Sequence, residues 1–341
     1  MSQEVAIKDV ALRAGVSPAT VSNALSGKRP VAEETRQRIL AAAEALNYRP
    51  NLVARGLRRQ ETHTIALLVA DISNPYYPVV ARAIHDRVGA QGYVSFIGNT
   101  DGEAEAEVRV LEEMRARSVD GVIMGTMALS PERIRNVLGP TIPLVLLTGE
   151  ALAPASSDAP AIHADQVGTD DAIGIREGVR HLQAKGIREI GFVSGPDGSV
   201  PGAGRLDSFR RAMSEAGLNL RHDWIEHAHG YTREAGTEAA ERLLSRNERP
   251  LAIMCANDLI AIGVLQSARE HELTVASDLA VIGFDDIETA QLVTPRLTTI
   301  VNPASLVGSA CADALLRRID HPQSAYAHVA LPTRLVVRES A

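Results

Sequence analysis

A chain of 341 residues, 45% of them hydrophobic, is long enough for a small head and a body of about two domains, each with its own core. Its formal charge of −7 is unevenly spread: the first sixty residues hold ten Lys/Arg against five Asp/Glu, and the remaining 281 hold 25 against 37, so only the head suits a polyanion. No apolar run approaches eighteen residues and Met-Ser-Gln-Glu is not a hydrophobic leader, which argues against a membrane span or export, while Cys255 and Cys311 sit in apolar stretches and read as reduced core thiols of a cytoplasmic protein.

The head contains the run IKDVALRAGVSPATVSNAL, Ile7 to Leu25. Ile7, Val10, Ala11 and Ala14 recur at helical spacing, Gly15 tolerates the positive φ that ends a helix, and Ser17-Pro18 is an N-cap followed by proline at the first helical position. A second short helix therefore starts at Pro18 with Val21, Ala24 and Leu25 inward. Its outer side carries Ser17, Pro18, Ala19, Thr20, Ser22 and Asn23, small enough to let a helix approach base edges in a major groove. Asn23 is the candidate for a bidentate adenine contact. A third helix is expected over 33–46, with Ile39, Leu40, Ala43 and Leu46 packing back and Arg36 and Arg38 placed for phosphate contacts. The whole reads as an all-α helix-turn-helix head. After it, Pro50 can open a short helix near Asn51, but Gly56 inside that helix costs about 1 kcal/mol relative to alanine, so binding has to supply the ordering energy.

From residue 62 short apolar runs alternate with helical stretches: 64–70, 93–98, 121–125 and 143–147, with helices over 76–90 and 104–117. Such runs mark parallel strands buried on both faces. A Pro/Ala/Ser/Asp-rich stretch at 149–160 precedes a second series at 189–195, 224–230, 251–256 and 279–284. Two doubly wound α/β lobes side by side place a ligand cleft at the carboxyl ends of both sets of strands. Strand ends offer Asp71, Ser73, Asn74, Tyr76, Tyr77, Asn99, Thr100 and Asp101 in the first lobe. The second offers Arg205, Tyr231, Asn257, Asp258, Asp285 and Asp286. One cation, amides and carboxylates beside aromatic rings match a polyhydroxylated ligand.

The head word, NYRPNLVARGLRR at 47–59, ISNPYY, GFVSGP, CANDLIAIGVL, VIGFDDIE, LTTI and LPTRLVVRES together resemble the lactose/galactose repressor family of bacterial transcription regulators over most of the chain. The resemblance implies a periplasmic-binding-protein-like body and a hinge helix that folds on operator DNA, with Leu57 entering the minor groove and Asn51, Val53, Ala54 and Arg58 beside it. Gly56 stands where serine is more usual, and Asn23 where arginine is common. It further implies that Arg205, Asn257 and Asp285 hydrogen-bond the effector while Tyr76 or Tyr231 packs on its face; Asp71, Asn74 and Tyr77, found at the strand ends, complete the candidate pocket. The expected organisation is a head at 1–48, a hinge at 49–61, a first lobe of 62–161 with 303–325, and a second lobe of 162–302 with 326–341.

The reading is a homodimeric repressor of an approximately palindromic operator, controlled by a small molecule, a carbohydrate or derivative, and requiring no cofactor. A periplasmic-type sugar-binding transport protein and a sugar-converting enzyme share the scaffold and are the alternatives. The loop GPDGSVPGAGR (195–205) fits neither phosphate-binding glycine pattern, and His222, His227 and His229 lack the spacing of a metal site.

Overall fold

The computed structural model describes residues 5–26, 29–49, 61–148 and 163–341, and the chain divides into two units, Met1–Thr62 and His63–Ala341. In the first unit α1 (Ile7–Ala14), α2 (Pro18–Ser26) and α3 (Glu33–Ala45) close around Val10, Ala11, Ala14, Val21, Ala24, Ile39, Ala42 and Ala43. Gly15 ends α1 at φ 66°, and the Ser17 Oγ accepts the Thr20 backbone N–H at 3.1 Å, so the turn is made by the residues that announce it. One expectation fails. Leu40 is 38% exposed, and Ala42 takes the inward position beside Ile39 and Ala43.

The second unit holds two six-stranded sheets. The first half of the chain supplies β1 (Thr64–Val69), α4 (Tyr76–Gly89), β2 (Val94–Asn99), α5 (Ala104–Ala116), β3 (Gly121–Gly125), α6 (Pro131–Leu138), β4 (Leu144–Thr148) and β5 (Asp165–Asp170). Then come α7 (Asp171–Ala184), β6 (Ile190–Ser194), α8 (Val200–Glu215), β7 (Ile225–His227), α9 (Arg233–Leu244), β8 (Ala252–Cys255), α10 (Asp258–Glu270) and β9 (Ala280–Asp285). The chain ends with α11 (Thr289–Leu292), β10 (Thr298–Val301), α12 (Ala304–Asp320), β11 (His328–Pro332) and β12 (Arg334–Val336). The strand orders are β11-β5-β4-β3-β1-β2 and β12-β10-β9-β8-β6-β7. Both are the doubly wound order 2-1-3-4-5 with one extra edge strand, and each has its ligand-binding crevice where the winding reverses. All pairings are parallel except β10 with β12.

α12 returns to the first lobe, where Val307, Cys311, Ala312 and Leu315 pack with Ile65, Leu67, Val80 and Ile84. Two strands lie on the other side of the expected boundary. β5 and β11 (residues 165–170 and 328–332) pair with each other, and β5 pairs with β4 in the first-lobe sheet, so the crossovers fall at 170–171, 301–304 and 332–334. The polar text of β5 hides its burial: Asp165 is completely enclosed because Arg318 Nε (2.8 Å) and the Ala327 N–H (2.8 Å) satisfy it. β2 departs the other way. It is an edge strand, with Val94, Phe96 and Ile97 half open to solvent (56, 54 and 50%) instead of buried on both faces. The expected strand 224–230 is a short β7 after a 3-10 turn at His222–Trp224. Cys255 and Cys311 are buried in different lobes, and burial pushes the Cys311 thiol up to about 12.

Candidate functional site

In the head, Ser17, Pro18, Ala19 and Ser22 are exposed on one side of the second helix, with Thr20 and Asn23 half-buried beside them. Ser17 and Thr20 hydroxyls bond each other at 2.8 Å, which fixes both at the helix start. Arg36 is exposed on α3, 3.9 Å from Glu33. The result is a helix N-terminus bearing small side chains, the shape that enters a major groove. Asn51, Val53, Ala54, Leu57 and Arg58 lie outside the described residues.

In the body, a cleft of about 290 Å³ lies between the lobes. Its first-lobe wall is Tyr76 and Tyr77 at the start of α4, the loop from Gly125 to Pro131, the end of β4 from Leu146 to Thr148, Gly168 and Thr169 on β5, and Val307. Its second-lobe wall is Val200, Pro201 and Arg205 of α8, with Asn302 at the crossover after β10. The turn after β1 presents the tyrosines: Asp71 Oδ1 accepts both the N–H and the hydroxyl of Ser73 (2.8 and 2.7 Å), and Asn74 Oδ1 accepts the Tyr76 N–H at 3.1 Å. Asp71 and Asn74 thus shape the loop and are not lining residues. The Tyr76 and Tyr77 rings meet edge-on at 5.5 Å.

Arg205 is the centre of the second wall. Its Nε donates to Asp171 Oδ2 at 3.0 Å, its Nη1 donates to the Ala256 carbonyl at 2.6 Å, its Nη2 lies 3.8 Å from Asp285 Oδ1, and its guanidinium stacks 3.8 Å over Phe284. Burial alone would lower its pKa, but the Asp171 and Asp285 carboxylates outweigh that and hold it raised. Asp285 ends β9 at φ 114°, a conformation that costs a non-glycine residue about 1–3 kcal/mol. Its carboxylate accepts from Asn302 Nδ2 at 3.0 Å, and Asn302 Oδ1 accepts from the Tyr76 hydroxyl at 3.2 Å, so a polar chain crosses the cleft. Burial pushes the Asp285 carboxyl up to about 6, against the opposing pull of Arg205 and Asn302.

Of the sequence candidates, the structure brings Tyr76, Tyr77 and Arg205 to the cleft wall and holds Asp285 directly behind it. Tyr231 stands back, bonding Ser199 at 3.0 Å. Asn257 caps α10, accepting the Ile260 N–H at 2.9 Å and donating to the Tyr231 carbonyl at 3.3 Å, so its amide is engaged by the fold. Asp258 is enclosed, accepting from Thr299 and from the Ile287 N–H, and burial with the nearby Asp285 charge holds its pKa well above the usual range. Asp171, Asn302, Thr148 and the 125–131 loop escaped the sequence reading. Thr148 is the last residue of β4 and Asn302 the first after β10, so the strand-end rule reaches both once those strand ends are placed. Among the described residues no group of three or more His, Cys, Asp and Glu could hold a metal, and no helix is long and apolar enough to cross a membrane.

A helix-turn-helix head joined to a two-lobed body with a polar cleft defines a ligand-responsive DNA-binding regulator. The comparisons with known proteins agree. The model described as bacterial regulatory proteins, lacI family, matches residues 6–51, and a periplasmic binding protein-like domain matches 179–341. The ribose operon repressor of Escherichia coli (strain K12) is 35% identical over 98% of this chain and 99% of its own length. Catabolite control protein A of Priestia megaterium is 33% identical over 98 and 99%. The crystal structure of the lac repressor dimer bound to operator and the anti-inducer ONPF superimposes with a TM-score of 0.87, at 26% identity and covering 99% of each chain. A LacI family regulator from Enterococcus faecium with bound ribose covers 82% of this chain and 98% of its own, at 28% identity and a TM-score of 0.69. The chain belongs to the lacI family of bacterial regulatory proteins. It is a DNA-binding transcriptional regulator, as those relatives are, and not an enzyme.

Proposed function

We propose that this chain is a cytoplasmic homodimeric repressor whose operator affinity is set by a small polyhydroxylated effector, a sugar or sugar derivative, held in the cleft. The polar chain Arg205–Asp285–Asn302–Tyr76 is the observation that carries the effector reading: it offers donors and acceptors beside an aromatic edge, and it links the two lobes, so a ligand bridging them favours one lobe arrangement over another. Relatives repress a ribose operon, and one bears ribose in its structure, which supports a carbohydrate. Two heads related by a twofold axis then read an approximate palindrome, with Asn23 at a base edge, Arg36 on phosphate and Leu57 in the central minor groove. The lac repressor is a dimer on its operator, and the exposed apolar edge of β2 is the face we assign to the second copy here; a Phe96→Glu protein that still sedimented as a dimer would remove β2 from that role.

Operator titration tests the reading. Affinity is expected to fall steeply with salt as phosphate-bound cations displace counterions, and residues 63–341 alone are expected to keep sugar binding while losing the operator. A headless body that retained tight operator binding would overturn it, as would full-length protein whose operator affinity no sugar alters.

A further inference from the structure

The Asp285 carboxylate stands on a strained turn behind the cleft wall. β9 ends at Asp285 with φ 114°, outside the regions that a side chain allows, and Asp286 follows at φ 57° in the left-handed region. Two such residues in succession persist only where their surroundings hold them. Here the holders are specific. Asp258, the first residue of α10, is fully buried; its Oδ2 accepts the Ile287 backbone N–H at 2.8 Å, and its Oδ1 accepts the Thr299 hydroxyl of β10. Arg338, after β12, donates to Asp286 Oδ1 and, through Nη1, to the Leu297 carbonyl at 2.8 Å.

Enclosing a carboxylate is costly unless its oxygens are bonded, and helix capping does not account for this one. The cap of α10 is Asn257, whose Oδ1 already accepts the Ile260 N–H, so the Asp258 oxygens turn instead to β10 and to the turn after β9. Gly283 makes the room. Register sets it opposite Thr299, and a Cβ at 283 would lie 2.1 Å from Asp258 Oδ1, so the carboxylate occupies the space of the missing side chain.

We propose that Asp258 is a positioning residue of the effector site: by holding the Ile287 N–H it fixes the 285–287 turn and keeps the Asp285 carboxylate on Asn302 and Arg205 before a ligand arrives. The proposal rests on the cleft being the effector site, with Asp285 accepting from a ligand hydroxyl. Asp258 is fully buried and does not line the cleft, so its whole influence passes through the turn. Without that hold the turn relaxes toward ordinary φ and the Asp285 oxygen leaves its place 3.0 Å from Asn302 Nδ2 and 3.8 Å from Arg205 Nη2. Ligand binding then has to supply the ordering itself, and affinity falls.

Full-length variants test it by calorimetric titration with D-ribose, D-xylose and D-glucose. Asp258→Ala leaves the Ile287 N–H without its acceptor, whereas Asp258→Asn keeps that bond through its carbonyl oxygen and turns its NH2 to Thr299 Oγ1, which can accept. A sugar that binds wild type is expected to bind Asp258→Ala roughly tenfold more weakly and Asp258→Asn within about twofold of wild type. Amide exchange over residues 283–290 should be faster in the alanine variant alone. A general loosening of the lobe would weaken binding by the same factor whether or not Asp285 is present, but action through the turn leaves Asp258→Ala with no further effect in an Asp285→Ala background. If Asp258→Ala does not fold, Thr299→Val, which removes only the hydroxyl, is expected to weaken binding about threefold. Wild-type affinity in Asp258→Ala, or in Thr299→Val where the alanine variant does not fold, would overturn the role, as would equal losses in the two Asp285 backgrounds or unchanged exchange at 283–290. Ala128→Trp, which plugs the cleft from a lining position, should abolish binding. Sugar binding that survives that plug, or no sugar bound by wild type, would overturn the cleft as the sugar site and the role of Asp258 with it.

Discussion

The two walls of the cleft are built on opposite plans. On the second-lobe side the polar groups are matched within the protein: Arg205 to Asp171 and the Ala256 carbonyl, Asn257 to the Ile260 N–H, Asp258 to Thr299 and the Ile287 N–H. On the first-lobe side the surface is largely apolar, from Tyr77, Met127, Leu146, Leu147 and Val307, and the Thr148 hydroxyl at the end of β4 is unmatched, as is the Gln166 amide buried deeper in the same sheet. The difference separates two tasks. A matched buried network is rigid before the ligand arrives and holds a fixed set of dipoles, whereas an unmatched group gains its full hydrogen bond only on binding and so discriminates among ligands.

Removing the centre of the matched wall should have the largest effect. Arg205 is 7% exposed, and Arg205→Ala leaves Asp171 and Asp285 buried without their cation, a loss of about 3–5 kcal/mol of stability together with effector response. Urea unfolding measures it. A loss below about 1 kcal/mol would mean that water reaches this wall and that the contrast between the walls is false.

The first wall has one preformed element of its own. Glu107, fully buried on α5, accepts from the Thr126 hydroxyl (2.9 Å) and from the Met127 and Leu129 N–H groups (2.7 and 3.0 Å), and so shapes the loop that lines the cleft. The Met127 carbonyl in turn accepts the Val200 N–H from the opposite lobe at 3.2 Å, which makes this loop a contact across the cleft mouth. Glu107→Ala should cost about 2–3 kcal/mol by orphaning those donors, and should weaken effector binding although residue 107 lines nothing. Unfolding and binding measured on one preparation would separate this from a purely stabilising role, which lowers the first and spares the second.

The sequence discloses the matched wall better than the unmatched one. Asp285 ends the apolar run of β9 and Arg205 follows that of β6 in the next helix, so charge after a strand finds them, as position after a strand finds Tyr76 and Tyr77 on the other wall. Thr148 and Gln166 are quiet because periodicity equates polar text with exposure, and β5, reading Asp-Gln-Val-Gly-Thr-Asp, has no apolar run to announce a strand. Its burial depends on Arg317 and Arg318, which lie far along the chain on α12. The converse error at β2 has the same root. Its apolar text reads as buried on both faces, whereas the strand lies at the edge of its sheet with Val94, Phe96 and Ile97 half open to solvent.

Asp285 allows the matched wall to be loosened by pH. With its carboxyl pushed up to about 6 by burial, the native state takes up this proton before the unfolded chain does, so Asp285 makes the fold less stable as pH rises from about 4 to about 6 and adds no slope above. Asp258 adds a slope of the same sign, and Arg205 and Asp171 are the charged groups facing the site. Effector affinity should run the opposite way. A ligand hydroxyl donating to the carboxylate loses its acceptor below pH 6, giving about a tenfold fall per unit if one proton is linked. Asp285→Asn should flatten that profile; an unchanged slope would assign the proton elsewhere.

The smallest effect belongs to the bridge between the walls. Tyr76 donates from the first lobe to Asn302 Oδ1 at 3.2 Å, and burial, with the nearby Asp285 charge, holds its hydroxyl well above the usual phenol range, so it stays protonated and remains a donor at any physiological pH. Tyr76→Phe keeps the ring against the ligand and removes only that bond, a net loss of about 0.5–1.5 kcal/mol. If the bridge holds one lobe arrangement, the variant should shift the effector concentration that half-saturates the operator response by more than it shifts effector affinity for the isolated 63–341 body, because only the first includes the equilibrium between arrangements. Equal shifts in the two assays would make Tyr76 an ordinary ligand contact, and the walls would then communicate through Met127 and Val200 instead.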